Sequence, residues 1–302
     1  MAKSNLPEPE TAHEEAEDPT ARMSFFDHLG ELRTRLLWAI SYIGIGFLIG
    51  LYFSREAYTF LAQPMMDALR EAGLEDRLIS TSPLGPLRLY ISTGLYLGLL
   101  IASPMVLHQV WLFVAPGLYR NERRAVVSFV FSGVFLFLAG TAFGYHVLLP
   151  LTLRFLTSMF VQGGFGAFIS INEYFDLVLV ILLGLGLIFQ LPILIFVLSV
   201  FGIVTPRFLW SNFQYAVLII AVLAAVITPT QDVVTMVVFM APMLVLYLVG
   251  IGVSAIVVRG KKQAAGEPGR SLGGVVAIAV LIAVAALAWA GFHFGWWSGL
   301  KW

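Results

Sequence analysis

The chain has 302 residues, 59% of them hydrophobic and only 12% charged, and its mean hydropathy of +0.88 lies outside soluble usage. Eighteen Lys and Arg balance eighteen Asp and Glu, so no broad basic field exists to hold nucleic acid. The absence of cysteine excludes disulfides, thiolate chemistry and Cys-based metal sites.

What remains is a polytopic membrane protein, and its elements can be taken in order. Residues 1–22, MAKSNLPEPETAHEEAEDPTAR, are rich in Glu, Pro and small polar residues and read as a disordered acidic cytoplasmic tail. The tail has no apolar run behind a basic start, so it does not read as a secretory signal peptide. A bilayer core about 30 Å thick needs roughly 20 apolar residues per helix. Seven segments qualify as candidate spans: Leu36–Phe53, Leu87–Leu112, Ala125–Leu149, Tyr174–Phe201, Phe213–Ile227, Val233–Val258 and Leu272–Phe292. The fifth is short, which implies local thinning or shielding by neighbours.

Lys and Arg placement sets the orientation. An amino terminus inside puts Lys3, Arg22, Arg33, Arg35, Arg120, Arg123, Arg124, Arg207, Arg259, Lys261, Lys262 and Arg270 in the cytoplasm. Arg55, Arg70, Arg77, Arg88, Arg154 and Lys301 are left outside, three of them in a long loop with many acidic residues. Two external segments have amphipathic spacing. Glu56–Arg70 groups Tyr58, Leu61, Met65, Ala68 and Leu69, while Leu151–Phe160 groups Leu151, Phe155, Leu156 and Met159. Both are expected to be interfacial helices capping the outer face. Pro104 and Pro192 fall inside spans, where a missing N–H and a ring clash predict kinks and hence a concave bundle.

Several chemistries have no motif to carry them. The chain contains no GxxxxGK followed by Ser or Thr, no GxSxG and no HExxH, and its five histidines are scattered. The last apolar segment holds no lysine for a retinal Schiff base. No enzymatic activity, cofactor or metal is therefore expected.

Three polar constellations interrupt the apolar pattern. In SFFDHLGELRTRLLWAI, Ser24–Ile40, a leucine-rich stripe of Phe25, Leu29, Leu32, Leu36 and Leu37 accompanies Asp27, Glu31 and Arg35 on another face. Glu31 reads either as an i,i+4 partner of Arg35 or as a functional carboxylate. In QVWLFVAPGLYRNERR, Gln109–Arg124, the aromatics and arginines suit a membrane boundary. Glu122 among them either neutralises the arginines or is reserved for a basic ligand. In FQLPI, Phe189–Ile193, Gln190 either bonds the kinked backbone or lines a polar cavity.

These motifs resemble the TatC family, the multispanning subunit of the twin-arginine protein translocase. The resemblance rests on HLxELRxRL (His28–Leu36), SPxxLxQVWxFxxPGLYxxERR (Ser103–Arg124), FxLP in the fourth span, GIVTP (Gly202–Pro206) and ITPTxD (Ile227–Asp232). It implies an all-α membrane protein, a concave bundle of six TatC-like transmembrane helices over residues 23–260, in the bacterial cytoplasmic (inner) membrane. It also implies a non-enzymatic receptor for twin-arginine signal peptides of folded cargo. That receptor would work with small single-span subunits of the TatA and TatB type, use the proton-motive force, and self-associate in the receptor complex.

The motif matches place signal-peptide binding on Glu31, Glu122 and Phe113, with Arg33 and Arg35 in the same helix. Pro64 matches a proline of the first external loop, and Asp232 matches an acidic position that also suits a helix start. The fourth-span polar position, often Glu in the family, is Gln190 here and cannot ionise. Residues 261–302 depart from the six-span pattern. A basic linker, then Leu272–Phe292 and an aromatic-rich end read as a seventh helix that would carry the carboxyl terminus to the periplasmic side. The alternative reading is a secondary transporter of a small solute, for which neither an internal repeat nor a midplane charge pair is evident.

Overall fold

The computed structural model describes residues 25–75, 77–114, 123–164, 168–228 and 233–264. The acidic tail, Glu122, Asp232 and the seventh candidate helix lie outside the described residues. The described chain is helical almost throughout. The long helices are α1 (Phe25–Tyr52), α3 (Gly85–Val114), α4 (Arg123–Phe143), α6 (Ile171–Ile188) and α10 (Val233–Ala264). Between them lie α2 (Ser54–Glu71), α5 (Leu149–Gly163), α7 (Leu191–Val200), α8 (Pro206–Ser211) and α9 (Phe213–Ile227). Among the described residues, five segments are long and apolar enough to cross a membrane: Leu29–Tyr52, Gly85–Phe113, Val130–Gly163, Ile171–Val200 and Thr235–Val258. The expected fifth span, α9, has 15 residues, or about 22 Å of helix against a core of about 30 Å.

Among lipid tails there is no hydrophobic gain from bringing helices together, so close approach and interhelical hydrogen bonds must hold the bundle. Two GxxxG steps, Gly46 and Gly50 on α1 and Gly94 and Gly98 on α3, face each other. A Cβ on Gly46 would lie 2.5 Å from the Gly98 carbonyl, one on Gly98 would lie 2.5 Å from the Phe47 nitrogen, and one on Gly50 would collide with the Gly94 carbonyl. Only glycine permits this backbone contact. A second seam joins α4 to α6, where a Cβ on Gly140 would meet the Leu185 carbonyl at 2.7 Å. Farther along, Ser199 of α7 donates to Ser254 of α10 at 2.7 Å, and both are buried.

The prolines act less uniformly than their spacing suggests. Gln190 and Pro192 break the fourth span into α6 and α7, as expected from the kink signal. Pro104, in contrast, sits inside an unbroken α3. Its missing N–H would orphan the Leu100 carbonyl, and the Ser103 hydroxyl donates to that oxygen at 2.8 Å.

One end of the bundle is capped by α2. Its buried face, Leu61, Ala62, Met65, Ala68 and Leu69, is the one its amphipathic spacing predicts. Beside it, β1 (Leu78–Ile79) and β2 (Ile169–Ser170) form a two-residue parallel pair that ties the loop before α3 to the loop before α6.

The second expected interfacial helix is corrected by the structure. Residues 149–163 are not a separate cap but continue α4 through a five-residue π-helical segment, Gly144–Leu148. Pro150 falls at the first turn of α5, where its missing N–H is harmless. The extra residue per turn also rotates the face. Leu149, Thr152, Leu153 and Thr157 point inward, whereas Leu151 and Met159, expected inside, are exposed.

Candidate functional site

Opposite the α2 cap, the first half of α1 inverts the amphipathic rule of soluble proteins. Leu29, Leu32, Leu36 and Leu37 are all exposed, so the leucine stripe turns outward. Lipid makes that exposure cost-free. Glu31, Arg35 and Ala39, one helical face at four-residue spacing, are the half-buried residues. Arg33 is exposed.

Glu31 and Arg35 pair, with Arg35 Nη2 donating to Glu31 Oε1 at 3.1 Å. The pair leaves capacity unused: Glu31 Oε2 and Arg35 Nε are both buried and have no hydrogen-bond partner among the described residues. The glycine seam places this pair in the bundle. Gly50 meets Gly94 and Gly46 meets Gly98, so α1 and α3 run antiparallel with matched four-residue steps. Continuing that register brings Arg35 level with Gln109 and Glu31 level with Phe113. Gln109 is 7% exposed, and its Oε1 is a third buried polar atom without a partner among the described residues. Phe113 is half-buried at the end of α3, one residue before the loop that carries Glu122. The structure thus brings Glu31, Arg35, Gln109 and Phe113 to one level of the bundle, within a segment of α3 that also buries Trp111.

Gln190 belongs to a different place. Its Nε2 donates to the Gly133 carbonyl of α4 at 3.0 Å, so the amide bonds a neighbouring helix rather than its own kink. A Cβ on Gly133 would lie 3.4 Å from Gln190 Oε1 and 3.5 Å from Trp111 Nε1. The absent side chain leaves room for both polar groups beside the α4 backbone.

Pro64 lies inside α2, and the sequence contained no sign of what its environment does. Because proline has no N–H, the Phe60 carbonyl four residues earlier lacks its helical donor. The Tyr145 hydroxyl, carried on the π segment, donates to that carbonyl at 2.7 Å, and its ring stacks on Phe60 at 4.4 Å between centroids. The Tyr174 hydroxyl of α6 donates to the next carbonyl, Leu61, at 2.6 Å. Two helices are thereby fastened to α2 at the point where its own ladder fails. Ion pairs add to the fastening: Arg154 binds Glu71 through Nε and Nη2 at 2.9 and 3.1 Å, and Arg88 binds Asp176 at 2.7 Å. Tyr58, also on α2, has its hydroxyl pKa raised by burial, with Tyr90 adding to the effect.

Known proteins share this arrangement. The family model described as Sec-independent protein translocase protein (TatC) matches residues 27–242. A Koribacter versatilis TatC is 46% identical over 235 residues, covering 78% of this chain and 86% of that protein. The Aquifex aeolicus TatC is 36% identical, covering 80% of this chain and 98% of that protein. A crystal structure described as that of the twin arginine translocase receptor TatC superposes with a TM-score of 0.69 at 36% identity, covering 77% of this chain and all of that one. By sequence and by fold, the chain belongs to the Sec-independent protein translocase TatC family.

Proposed function

We propose that this chain is the receptor subunit of a twin-arginine translocase in the bacterial inner membrane and that Glu31 is one of two carboxylates reading the paired arginines of a signal peptide. One observation carries the reading: Glu31 keeps one oxygen on Arg35 and holds the other buried with no donor among the described residues. A buried carboxylate oxygen without a donor is costly unless a ligand supplies one. A guanidinium, with its planar fork of N–H groups, supplies it in a geometry that lysine cannot copy.

Glu122 is the second carboxylate by its match to the family motif, and Phe113 offers apolar surface near the end of α3. Arg35 orients Glu31 rather than contacting the peptide arginines, which would repel it. Arg33 is exposed on the same turn and meets the lipid headgroups. Single-span subunits of the TatA and TatB type are the partners, and the amino terminus lies in the cytoplasm. The secondary-transporter alternative gains no support from any relative.

The test is photo-cross-linking of the full chain in membranes to a peptide carrying Arg-Arg, against the same peptide with Lys-Lys. Glu31→Gln and Glu122→Gln should each lower Arg-Arg cross-linking about tenfold or more, the worth of a lost charge-assisted hydrogen bond. Undiminished cross-linking in both variants would remove the assignment.

A further inference from the structure

Beneath the α2 cap, α2, α3, α4 and the π segment enclose a cavity of about 440 Å³ whose walls include Phe60, Leu97, Leu100 and Leu138. A cavity of this size suits a ligand or a length of hydrocarbon rather than a few waters. Its depth is fixed by neighbours. Gly94 abuts Leu51, in the last turn of α1, and Tyr96 stands two residues farther along α3, about 3 Å deeper. That is the level at which polar headgroups give way to hydrocarbon.

Two polar features break the apolar wall. Tyr96 is 4% exposed, yet its hydroxyl has no hydrogen-bond partner among the described residues. The Thr141 hydroxyl, also buried, is the polar group that faces it, and even when the two hydroxyls bond each other one donor is left unused among the described residues. Both line the cavity, together with Glu56 and His146, which are exposed at its edge.

We infer that this cavity is a binding site for one phospholipid with an amine headgroup, of the phosphatidylethanolamine class. The apolar walls take an acyl chain. The Tyr96 and Thr141 pair donates to a glycerol-ester carbonyl, a group that accepts and brings no competing donor. The Glu56 carboxylate receives the ammonium, which an anionic glycerol headgroup does not offer. A bound lipid accepts the donor that the Tyr96 and Thr141 hydroxyls leave unused among the described residues, which ordinary annular lipid does not do. The site is separate from the Glu31 level and does not depend on the peptide-binding reading.

The full chain is placed in nanodiscs of mixed phosphatidylethanolamine and phosphatidylglycerol containing phosphatidylethanolamine with a diazirine on one acyl chain. Lipid retained on release into the gas phase is then weighed. Wild type should retain one phosphatidylethanolamine per chain and be labelled on α3 and α4 near Leu100 and Leu138. Glu56→Gln should reduce the preference over phosphatidylglycerol about fivefold, and Tyr96→Phe with Thr141→Val should reduce retention about tenfold. Leu138→Trp, at a partly lipid-exposed position that tolerates bulk, should block labelling even if the double variant fails to fold. Equal labelling of wild type and Leu138→Trp would overturn the site, as would equal retention of the two lipids by wild type. A helix of another protein subunit recovered in the cavity in place of lipid would also overturn it.

Discussion

Pro64 removes one hydrogen-bond donor from α2, and the fold answers with a tyrosine from another helix. The Phe60 carbonyl would otherwise be an acceptor with no donor, and the Tyr145 hydroxyl fills it at 2.7 Å. The physical claim is that proline and tyrosine are coupled, which a double-mutant cycle can measure. Tyr145→Phe alone should destabilise the purified chain by about 0.5 to 1.5 kcal/mol, the net worth of one hydrogen bond at a partly exposed site. In a Pro64→Ala background the helix regains its own donor, and the same change should cost appreciably less. Denaturant unfolding in detergent gives both numbers, and strict additivity would show that the tyrosine is bound for some other reason. The Tyr174 bond to Leu61 provides the comparison, since Met65 retains the N–H that proline lacks. Tyr174→Phe should cost about the same with or without Pro64.

Helix pairs are decided by glycine. The α1 to α3 seam has backbone against backbone at Gly46, Gly50, Gly94 and Gly98, so no rotamer change can accommodate a methyl group there. Gly98→Ala should force the helices apart and lower the thermal midpoint of the detergent-solubilised chain by several degrees. Gly44→Ala, on the same helix but with nothing within 4 Å of the added carbon, should be neutral or raise stability by about 0.5 to 1 kcal/mol through helix propensity. Equal effects of the two changes would dismiss the seam. The GxxxG steps are a sequence signal for close helix pairing in apolar segments, and one that span length and charge placement do not register. Where the environment resembles water on one side and protein on the other, periodicity read correctly, as on α2. On α1 the two faces were legible but not which one packs, because lipid lets the leucine stripe turn outward while Glu31 and Arg35 are half-buried. Periodicity failed on α5, because the π segment shifts the phase by a fraction of a turn, a backbone event with no local signature around Tyr145 and His146. The Glu31 to Arg35 pair was legible from i,i+4 spacing, whereas the vacancies at Glu31 Oε2 and Gln109 Oε1 depend on contacts between helices that spacing does not encode.

At the scale of the whole molecule, the two ends carry different electrostatics. At the α2 end three arginines pair with carboxylates, Arg154 with Glu71, Arg88 with Asp176 and Arg70 with Asp67 at 3.5 Å. At the other end lie the Glu31 level and Arg207, and the loop toward Glu122 adds Arg120, Arg123 and Arg124. Lys and Arg near short loops hold a segment on the cytoplasmic side, whereas long loops such as the one carrying α2 cross largely regardless of charge, so the α2 end should be the periplasmic one. The chain has no cysteine, which makes single-cysteine mapping direct. Thr59→Cys, exposed on α2, should react with a membrane-impermeant maleimide in cells whose outer membrane alone is opened. Ser211→Cys, exposed at the end of α8, should react only after the inner membrane is breached. The same assay addresses the carboxyl-terminal segment, where about 20 apolar residues follow the basic run Arg259 to Arg270. If Leu272–Phe292 crosses the bilayer, Ser298→Cys labels with Thr59→Cys. If it does not, Ser298→Cys labels with Ser211→Cys, and both termini share the cytoplasmic side with the Glu31 pair.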